Sequence, residues 1–427
     1  MRHGVLVGKT VLKIGKAMNV GSGSTWPGHV ALKIDPSLIR AVVEKNPEVK
    51  IILIAGTNGK TTTTKALSYA LESSGISVLT NNAGANLLNG LASALVSGID
   101  LNGKLRQETI IFEADENSLP VILSEIPNPN AIVLLNLFRD QLDRYGEVNT
   151  TAEKWIKAFK KLTEDTLVIA NADDPLVSHV ASHAAKKVYF TIPTKYKNTR
   201  SLGHAVDSTT CPKCNSTLEY LSISYSHLGN YICPNCSYSN PKAEGLEIPS
   251  NLLGIYNQYN LNAAAKVLKN VFEIKEKEIL KTLSQVKPAF GRQEEISVNG
   301  KKVMYLLSKN PTGFNESLKV AIENKSSSLL ILLNDRVPDG HDISWIWDVD
   351  FEILKKTNIK IFVSGDRAYD MANRLLFAGV SHEVFDSPDK AYEAALNNTM
   401  QEKTLTILPT YSAMLEIRKL ISGRAIL

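Results

Sequence analysis

Residues 51–64, which read IILIAGTNGKTTTT, constrain the fold of this 427-residue chain more than any other stretch. The apolar run 51–55 predicts a buried parallel strand, and a helical pattern begins at Lys60 and Thr61 after a turn with two glycines. In such an arrangement backbone N–H groups hold phosphate oxygens, the lysine reaches the terminal phosphates, and the threonine hydroxyl binds Mg²⁺. Ile54 stands where the usual phosphate-loop pattern has its first glycine, so the turn is tighter. We predict that this loop binds a nucleotide.

From residue 51 onward, apolar runs alternate with helical patterns, which predicts an α/β fold with a doubly wound parallel sheet. Polar residues come at the ends of several predicted strands. Glu113 follows the run 109–112, Asn136 follows 131–135, and Asn171 follows 166–170. Because the carboxyl ends of parallel strands meet at one edge of a sheet, these side chains predict the ligand site.

The chain divides into an N-terminal segment, 1–45, a central ATP-binding domain, 46–292, and a C-terminal Rossmann-like α/β domain, 293–427. The Gly/Ser-rich residues 20–30 predict a loop, and a helix is expected over 36–45. The sequence PAFGR at 288–292 indicates the boundary between the two α/β units. Five further strands with helices between them are expected after it.

Composition excludes several functional classes. Hydrophobic residues make up 44% of the chain and charged residues 21%, as in ordinary globular proteins, and the net charge of +5 is too small to indicate a nucleic-acid partner. No apolar run approaches the roughly 20 residues that span a bilayer, and no signal-peptide pattern is present. Residues 1–20 predict a short amphipathic helix packed on the body of the protein, with contact to a membrane surface as the alternative.

All four cysteines lie in the segment 204–240. Cys211 and Cys214 form one C-x-x-C pair, Cys233 and Cys236 form a second, and 18 residues separate the pairs. This spacing is typical of a zinc ribbon, in which four thiolates hold one tetrahedral Zn²⁺. A redox C-x-x-C and a nucleic-acid-binding ribbon are the weaker alternatives. Four protein ligands leave no open position, so we expect a structural metal, and cysteines confined to one cluster indicate a reducing cytoplasm.

Two further segments carry many polar residues. Residues 113–116, EADE, follow a buried strand opposite the phosphate loop, so we predict that their carboxylates hold Mg²⁺, against the alternative of helix caps. Residues 334–352 contain six acidic residues, one histidine and two tryptophans after a strongly apolar strand. This second segment is either a solvated loop or a surface for a partner or substrate.

Several motifs resemble the ATP-site signatures of Mur ligases, which are the ATP-dependent amide-forming enzymes of cell-wall precursor synthesis. These motifs are GTNGKTT at 56–62, NADDP at 171–175 and GIYNQYN at 254–260. A second set resembles, within this family, the synthetase subunit of lipid II isoglutaminyl synthase. It consists of TWPG at 25–28, GAN at 84–86, NLFRDQLDRYGE at 136–147, the four-cysteine insertion, KNPTGF at 309–314 and SWIWD at 344–348.

The resemblance implies a Mur ligase-like P-loop ATPase domain with an inserted four-cysteine zinc ribbon, followed by the C-terminal domain. It also implies the reaction. ATP would phosphorylate the α-carboxylate of D-glutamate in the stem peptide of lipid II, and ammonia would attack the acyl phosphate to give D-isoglutamine. The cofactors are then ATP, Mg²⁺ and Zn²⁺, and the substrate is a lipid-linked muropeptide at the inner face of the plasma membrane.

The resemblance also implies roles for individual residues. Lys60 would steady the transferred phosphoryl group, and Thr61 and Glu113 would hold Mg²⁺. The remaining contacts with ATP are expected from Gly56, Thr57, Asn58, Gly59, Thr62 and Asn171. Adenine and ribose are expected at Asn257 and Asp174, and the phosphates at Arg292.

A separate GatD-like glutaminase subunit would supply the ammonia, in a heterodimer with this chain. All four cysteines of this chain are assigned to the predicted zinc site, so none is left for glutamine hydrolysis, which agrees with a separate glutaminase. In the family, an aspartate of the C-terminal domain is expected to complete the glutaminase's Cys–His pair. We assign this role to Asp348, with Asp350 and Asp342 as alternatives.

Two features depart from the amino-acid-adding Mur ligases. Gln141 stands where they have a histidine, and the region of their carbamylated lysine is interrupted by the cysteine insertion. Three hypotheses follow. They are an amidating synthetase subunit, a stand-alone ligase that adds an amino acid to a cell-wall or pseudomurein precursor, and a zinc-ribbon binding module with a structural nucleotide.

Overall fold

A computed structural model describes residues 2–18, 25–81, 85–140, 147–199, 202–288 and 292–422. Gly84 and Gln141 therefore lie outside the described residues, as does the side chain of Arg292. The first sheet has six parallel strands in the order β2-β3-β1-β4-β5-β6. Its strands are β1 Lys50–Ala55, β2 Val78–Thr80, β3 Thr109–Ala114, β4 Ala131–Leu134, β5 Leu167–Asn171 and β6 Lys186–Phe190. The predicted doubly wound α/β fold is confirmed.

Helices cover both faces of this sheet, because its central strands are apolar on both faces and are fully buried. The helices of this part of the chain are α1 Arg2–Met18, α2 Trp26–Ile34, α3 Leu38–Lys45, α4 Lys60–Ser73, α5 Leu88–Gly98, α6 Leu119–Glu125, α7 Val148–Phe159, α8 Pro175–Ser182, α9 Tyr256–Val271 and α10 Glu276–Leu283. One apolar core includes α3, α5 and α7, and a second, on the opposite face, includes α4, α9 and α10.

The N-terminal helix α1 packs on the body of the protein through Val5, as predicted. The loop predicted over 20–30 is wrong in its last part, because α2 begins at Trp26. Pro27 lies in the first turn of α2, where its fixed φ favours a helix and its missing N–H costs nothing. Gly28 and Ala31 are buried against neighbouring helices, so glycine here serves close packing.

The second sheet has the order β13-β12-β11-β14-β10-β9, with β9 antiparallel to β10 and the other pairs parallel. Its strands are β9 Arg292–Val298, β10 Lys301–Leu306, β11 Ser328–Leu332, β12 Lys360–Ser364, β13 Glu383–Val384 and β14 Thr404–Pro409. Its helices are α11 Pro311–Glu323, α12 Ala368–Phe377, α13 Pro388–Asn398 and α14 Tyr411–Ser422. Residues 334–352 contain the 3₁₀ turn Ser344–Asp348 and overlap the start of a second, Phe351–Lys356.

The four-cysteine segment lies between β6 and α9 and contains the hairpin of β7 Glu219–Tyr225 and β8 Leu228–Ile232. Two of its tyrosines attach it to α8, since Tyr231 and Tyr238 are both hydrogen-bonded to the hydroxyl of Ser178, at 2.5 and 2.8 Å. The insertion is therefore part of the first lobe, by which we mean the part of the chain built around the first sheet; the second lobe is built around the second sheet.

Candidate active site

The predicted phosphate loop joins the end of β1 to the start of α4. Gly56 and Gly59 have positive φ angles of 139° and 96°, which glycine adopts without strain. A Cβ at Gly59 would also lie 2.1 Å from Asn260 Oδ1, so no larger residue is accommodated there. The loop is held from the next strand, because the Asn58 N–H donates to Asn136 Oδ1 at 2.8 Å and the Asn136 amide donates to the Asn58 carbonyl at 3.0 Å. This arrangement leaves the N-terminus of α4 available to an anion.

Lys60 is buried and turned toward the loop that precedes it. Its ammonium donates to the Gly56 carbonyl at 2.6 Å and forms an ion pair with Glu116 at 3.2 Å. Rotation of the flexible Lys60 side chain can exchange either acceptor for a phosphate oxygen. The position agrees with a lysine that reaches a phosphoryl group.

Thr61 and Glu113 lie together, with the threonine hydroxyl donating to Glu113 Oε2 at 2.9 Å. Glu113 is the penultimate residue of β3 and is almost fully buried. Asn81 fixes its backbone, accepting from the Glu113 N–H at 2.9 Å and donating to its carbonyl at 3.0 Å. A hydroxyl and a carboxylate at the start of α4 are the oxygen donors that Mg²⁺ prefers, so these residues suit the predicted metal.

Two more carboxylates border this site. Burial raises the pKa of Asp115, and the neighbouring Glu116 carboxylate raises it further. Burial also raises the pKa of Asp140, against the opposing effect of the Lys309 ammonium that contacts it. Asp140 Oδ1 is buried and has no hydrogen-bond partner among the described residues. A carboxylate oxygen of this kind, beside a lysine, can accept a hydrogen bond from a polar ligand.

A cleft lies between the two sheets at the phosphate loop. Its first-lobe wall includes Asn58, Gly59, Thr62 and Asn257, all of which were predicted from the sequence as ATP contacts. Apolar and aromatic residues also line it, together with the start of α11. These are Tyr225, Leu252, Tyr256, Leu306, Thr312 and Glu316. The mixed apolar and polar lining suits a nucleotide base and sugar.

The two lobes meet across the phosphate loop itself. Asn310, the residue that caps α11, donates its side-chain amide to Asn58 Oδ1 at 3.1 Å and accepts from the Asn58 amide at 3.4 Å. Lys309, the preceding residue, contacts Asp140 of the first lobe. The second lobe therefore places a lysine and an amide at the edge of the predicted phosphate site.

Asn171 and Asp174 are not brought to the cleft. Asn171 is fully buried and donates to the Leu135 carbonyl at 3.0 Å. Asp174 is also fully buried, because it caps α8 through the N–H groups of Leu176 and Val177 and accepts from the Leu137 N–H at 2.9 Å. These two side chains hold the backbone of the neighbouring strand ends rather than face a ligand.

Glu116 was predicted only as one of the Mg²⁺-binding carboxylates of residues 113–116, and the structure pairs it with Lys60 at 3.2 Å. No individual role was predicted for Asn310 or Asn81, although Asn310 belongs to the KNPTGF motif. Asn81 carried no such signal, since its role depends on the pairing of β2 with β3.

The three aspartates considered for contact with a glutaminase differ in their surroundings. Asp348 forms an ion pair with Arg139 of the first lobe at 3.3 Å. Asp342 lines a small cavity together with Asp348 and Arg139. Asp350 instead accepts from the Asn315 amide at 2.9 Å and pairs with His204 at 2.7 Å. Asp348 keeps 38% of its side chain exposed, so it is accessible from outside the cleft.

The four cysteine sulfurs form one cluster, with ligand atoms all within 4.8 Å of one another. Cys211 and Cys236 sulfurs are 3.5 Å apart, as are those of Cys214 and Cys233. Zinc–sulfur bonds of about 2.3 Å in a tetrahedron give sulfur separations of about 3.8 Å, so the cluster suits zinc. The cluster lies in the insertion and shares no residue with the cleft lining.

Two family models match this chain. The model of the Mur ligase middle domain matches residues 54–268, and the model of the MurT ligase C-terminal domain matches residues 307–414. The lipid II isoglutaminyl synthase (glutamine-hydrolyzing) subunit MurT of Streptococcus pneumoniae is 32% identical, over 95% of this chain and 94% of its own. The subunit of the same name from Staphylococcus aureus strain COL is 31% identical, over 92% of this chain and 91% of its own.

Among solved structures, a pseudomurein peptide ligase type C from Methanothermus fervidus is similar in fold, with a TM-score of 0.67 and 20% identity. It aligns with 90% of this chain and 81% of its own. Within the described residues, no helix has both the length and the apolar character required to cross a membrane. The family matches and the near-full-length identity place the chain in the Mur ligase family, among its MurT subunits.

Proposed function

We propose that this chain catalyses the ATP-dependent amidation of a carboxylate on a lipid-linked muropeptide, namely the D-glutamate α-carboxylate of a lipid II stem peptide. The proposal rests on a phosphate loop that faces the cleft between the two lobes. This loop carries the buried Lys60 and the hydrogen-bonded pair of Thr61 and Glu113. The names of relatives that match over nearly the whole chain support the choice of reaction.

The reaction has two steps. A carboxylate oxygen of the acceptor attacks the γ-phosphorus of ATP, which gives an acyl phosphate and ADP. The nitrogen of ammonia then attacks the acyl carbon, phosphate leaves with the original carboxylate oxygen, and the nitrogen loses a proton. Both steps require charge neutralisation and positioning more than covalent help from the protein.

Lys60 is proposed to move from Glu116 to the transferred phosphoryl group, where its ammonium neutralises the charge that develops. The loop N–H groups of residues 56–62 would hold the other phosphate oxygens. Thr61 and Glu113 would hold Mg²⁺, which when bound neutralises phosphate charge. Lys309, at the edge of the same loop, is in position to stabilise the acceptor carboxylate.

Asn257 and the apolar cleft residues are proposed to hold adenine. We now propose Asn171 and Asp174 as positioning residues for the strand ends, in place of direct contact with ribose. Arg292 is proposed at the phosphates, at the start of β9. The domain limits 46–292 and 293–427 are proposed because the second sheet begins at Arg292.

A glutamine-hydrolysing GatD-like subunit is proposed as the source of ammonia, and Asp348 as the aspartate that serves it. All four cysteines of the sequence belong to the sulfur cluster, so no thiol of this chain is left for glutamine hydrolysis. Zinc is proposed as the structural metal of that cluster, because four thiolates leave no open position.

The test is mass analysis of the product with ATP, Mg²⁺ and a lipid-linked muropeptide. We expect the acceptor to lose about one dalton, the difference between OH and NH₂, with ammonium alone. With glutamine, the same loss is expected only when the glutaminase subunit is present. Glutamine-dependent amidation by this chain alone would contradict the proposed division of labour.

The same experiment separates the alternatives. A stand-alone Mur-type ligase would add the mass of an amino acid, a hypothesis favoured by the fold shared with a pseudomurein peptide ligase. A zinc-ribbon module with a structural nucleotide would give no product and no ATP turnover. Either result would replace the amidation proposal.

A further inference from the structure

Helices α1, α2 and α5 pack into one unit beside the first sheet, and glycines show how they are aligned. Gly4 of α1 lies against Asp35, which follows α2, whereas a Cβ at Gly8 would be 3.2 Å from the Pro27 carbonyl. The middle of α1 therefore lies beside the start of α2, and the C-terminal half of α1 continues past it. Gly28 donates its N–H to the Ser93 hydroxyl at 2.7 Å and lies against the Asn89 carbonyl, so the start of α2 also meets the start of α5.

This shared end of the unit exposes large apolar side chains. Trp26 is 67% exposed, Ile14 is 52% exposed and Leu87 is 45% exposed. Each comes from a different segment of the chain, and the helix packing brings all three to the same end. Apolar side chains grouped on an exposed surface are typical of a binding surface.

The charges of the unit all have one sign. The sequences of α1, α2 and α5 contain no acidic residue, and α1 alone contains four lysines or arginines. On α1, Lys13 is exposed and precedes Ile14 directly, so a cation stands beside an apolar side chain. A partner that is both anionic and apolar at its surface complements this unit.

The same end lies close to the candidate active site. Leu87 follows Asn86, whose carbonyl accepts the N–H of Asp115 at 3.0 Å. Asp115 belongs to residues 113–116, which border the Thr61–Glu113 pair. A molecule with an apolar tail at this end could therefore extend its polar end toward the carboxyl edge of the first sheet.

We propose that this surface, which we name the apolar end (Ile14, Trp26 and Leu87 with Lys13), docks on an anionic lipid bilayer. The three apolar side chains would enter the interfacial region, and Lys13 would contact lipid phosphates. The choice of a bilayer rests on the proposed function, since a lipid-linked acceptor is held in a membrane. Docking would place the peptide end of the acceptor near the phosphate loop.

Vesicle sedimentation of the full chain, without substrate or ATP, tests the docking separately from the reaction. We expect binding to vesicles of phosphatidylglycerol and phosphatidylcholine that weakens in high salt, and weaker binding to phosphatidylcholine alone. The variant Ile14→Ser, Trp26→Ser, Leu87→Ser should partition at least about tenfold less strongly. The matched control Leu101→Ser, Val121→Ser, Leu221→Ser changes exposed apolar residues elsewhere on the first lobe and should bind as the wild type does.

Quenching of tryptophan fluorescence by brominated lipids gives a second readout with a mild substitution. We expect quenching of the wild type and its loss in Trp26→Phe, since Trp155 is fully buried and Trp345 and Trp347 belong to the second lobe. Equal quenching of both proteins would overturn the proposal. Absence of vesicle binding by the wild type would also overturn it. Self-association of the free chain, abolished only in the triple apolar-end variant, would instead identify the surface as an interface between two copies and would overturn it as well.

Activity provides the link to the reaction. The triple apolar-end variant should lose turnover of a lipid-linked acceptor in vesicles and keep turnover of a lipid-free acceptor. Vesicle binding without amidation by the wild type would leave the docking supported and the proposed function refuted. Equal loss with both acceptors would contradict a docking role.

Discussion

Two polar clusters at the carboxyl edge of the first sheet contain similar residues and differ in what those residues contact. In the cluster at β1 and β3, Lys60 and Glu116 pair with each other, and Thr61 pairs with Glu113. In the cluster after β5, Asp174 accepts from three backbone N–H groups and lies 3.3 Å from His227 Nε2. The side chains of the first cluster pair with one another beside the phosphate loop, whereas those of the second are buried and bonded to internal partners.

Motif residues at the same edge of a sheet can therefore serve either the reaction or the stability of the fold. Asp173 makes the point further, because it is buried with Lys197, Thr191 and Tyr259 as partners, each at 2.7 Å. Burial raises the pKa of Asp173, and the Lys197 ammonium opposes that rise. Substitutions in the β1–β3 cluster should therefore affect turnover, and substitutions in the β5 cluster should affect stability.

The largest effect is expected from Lys60→Ala. Loss of the ammonium should lower the rate of amidation by about 10⁴-fold, because no other described group replaces its charge at the phosphoryl group. Stability should change little. Steady-state kinetics with ammonium as the nitrogen source measures the effect, and Lys65→Ala, one turn further along the exposed side of α4, is the control. Wild-type turnover by Lys60→Ala would refute the assignment.

Asp174→Ala should show the opposite behaviour. It removes the cap of α8 and leaves the Leu137 N–H without its acceptor, so we expect a loss of about 3 kcal/mol in unfolding free energy. Urea unfolding measures it, with the exposed Asp165→Ala as control. The comparison fails if the folded variant keeps wild-type stability but has lost its affinity for nucleotide.

Removal of the proposed zinc from the cysteine cluster should destabilise the protein by at least about 2 kcal/mol, because the four thiolates would lose the ion that joins the two C-x-x-C pairs. We expect a lower melting temperature, with turnover of the protein that remains folded near the wild-type value. Calorimetry and kinetics before and after chelation give both quantities. Lost turnover at an unchanged melting temperature would instead assign the metal to the chemistry.

The smallest effect concerns His179 on α8. Burial, with the nearby His183 and Lys213, lowers its pKa from 6.5 to about 4. Between these values the unfolded chain binds a proton that the folded chain does not, so stability falls as the pH falls from about 6.5 toward 4. Because His179 is only half-buried, its share should be about 1 kcal/mol or less.

His179→Phe should therefore lose less stability than the wild type between pH 7 and pH 5. Thermal unfolding at the two pH values, with metal in excess, measures this. His3→Phe, an exposed position of α1, is the control. A variant with the full pH dependence of the wild type would show that His179 is not the group responsible.

The sequence predicted most strands of both sheets, because their long apolar runs are unambiguous. It predicted a loop across the start of α2, since Gly28 and its glycine-rich neighbours are typical of loops, and only the packing against α5 explains the helix. It did not predict β9, which is polar and pairs antiparallel at a sheet edge. Edge strands carry a weaker apolar pattern than central ones.

For the site, the local motif 56–62 predicted the phosphate loop because its geometry is set within a few residues. The bond between Asn58 and Asn310 could not be predicted, because it joins residues of different lobes. The burial of Asp174 could not be predicted either, since its acceptor role depends on the adjacent strand end at Leu137. Long-range contacts of this kind have no signature in a single sequence.

The most direct test of the central claim is the fate of ¹⁸O from an acceptor whose carboxylate is labelled, with ATP and ammonium. Formation of an acyl phosphate predicts one ¹⁸O atom in each inorganic phosphate released, with the other retained in the amide. Amide product accompanied by unlabelled phosphate would contradict transfer of the phosphoryl group to the carboxylate.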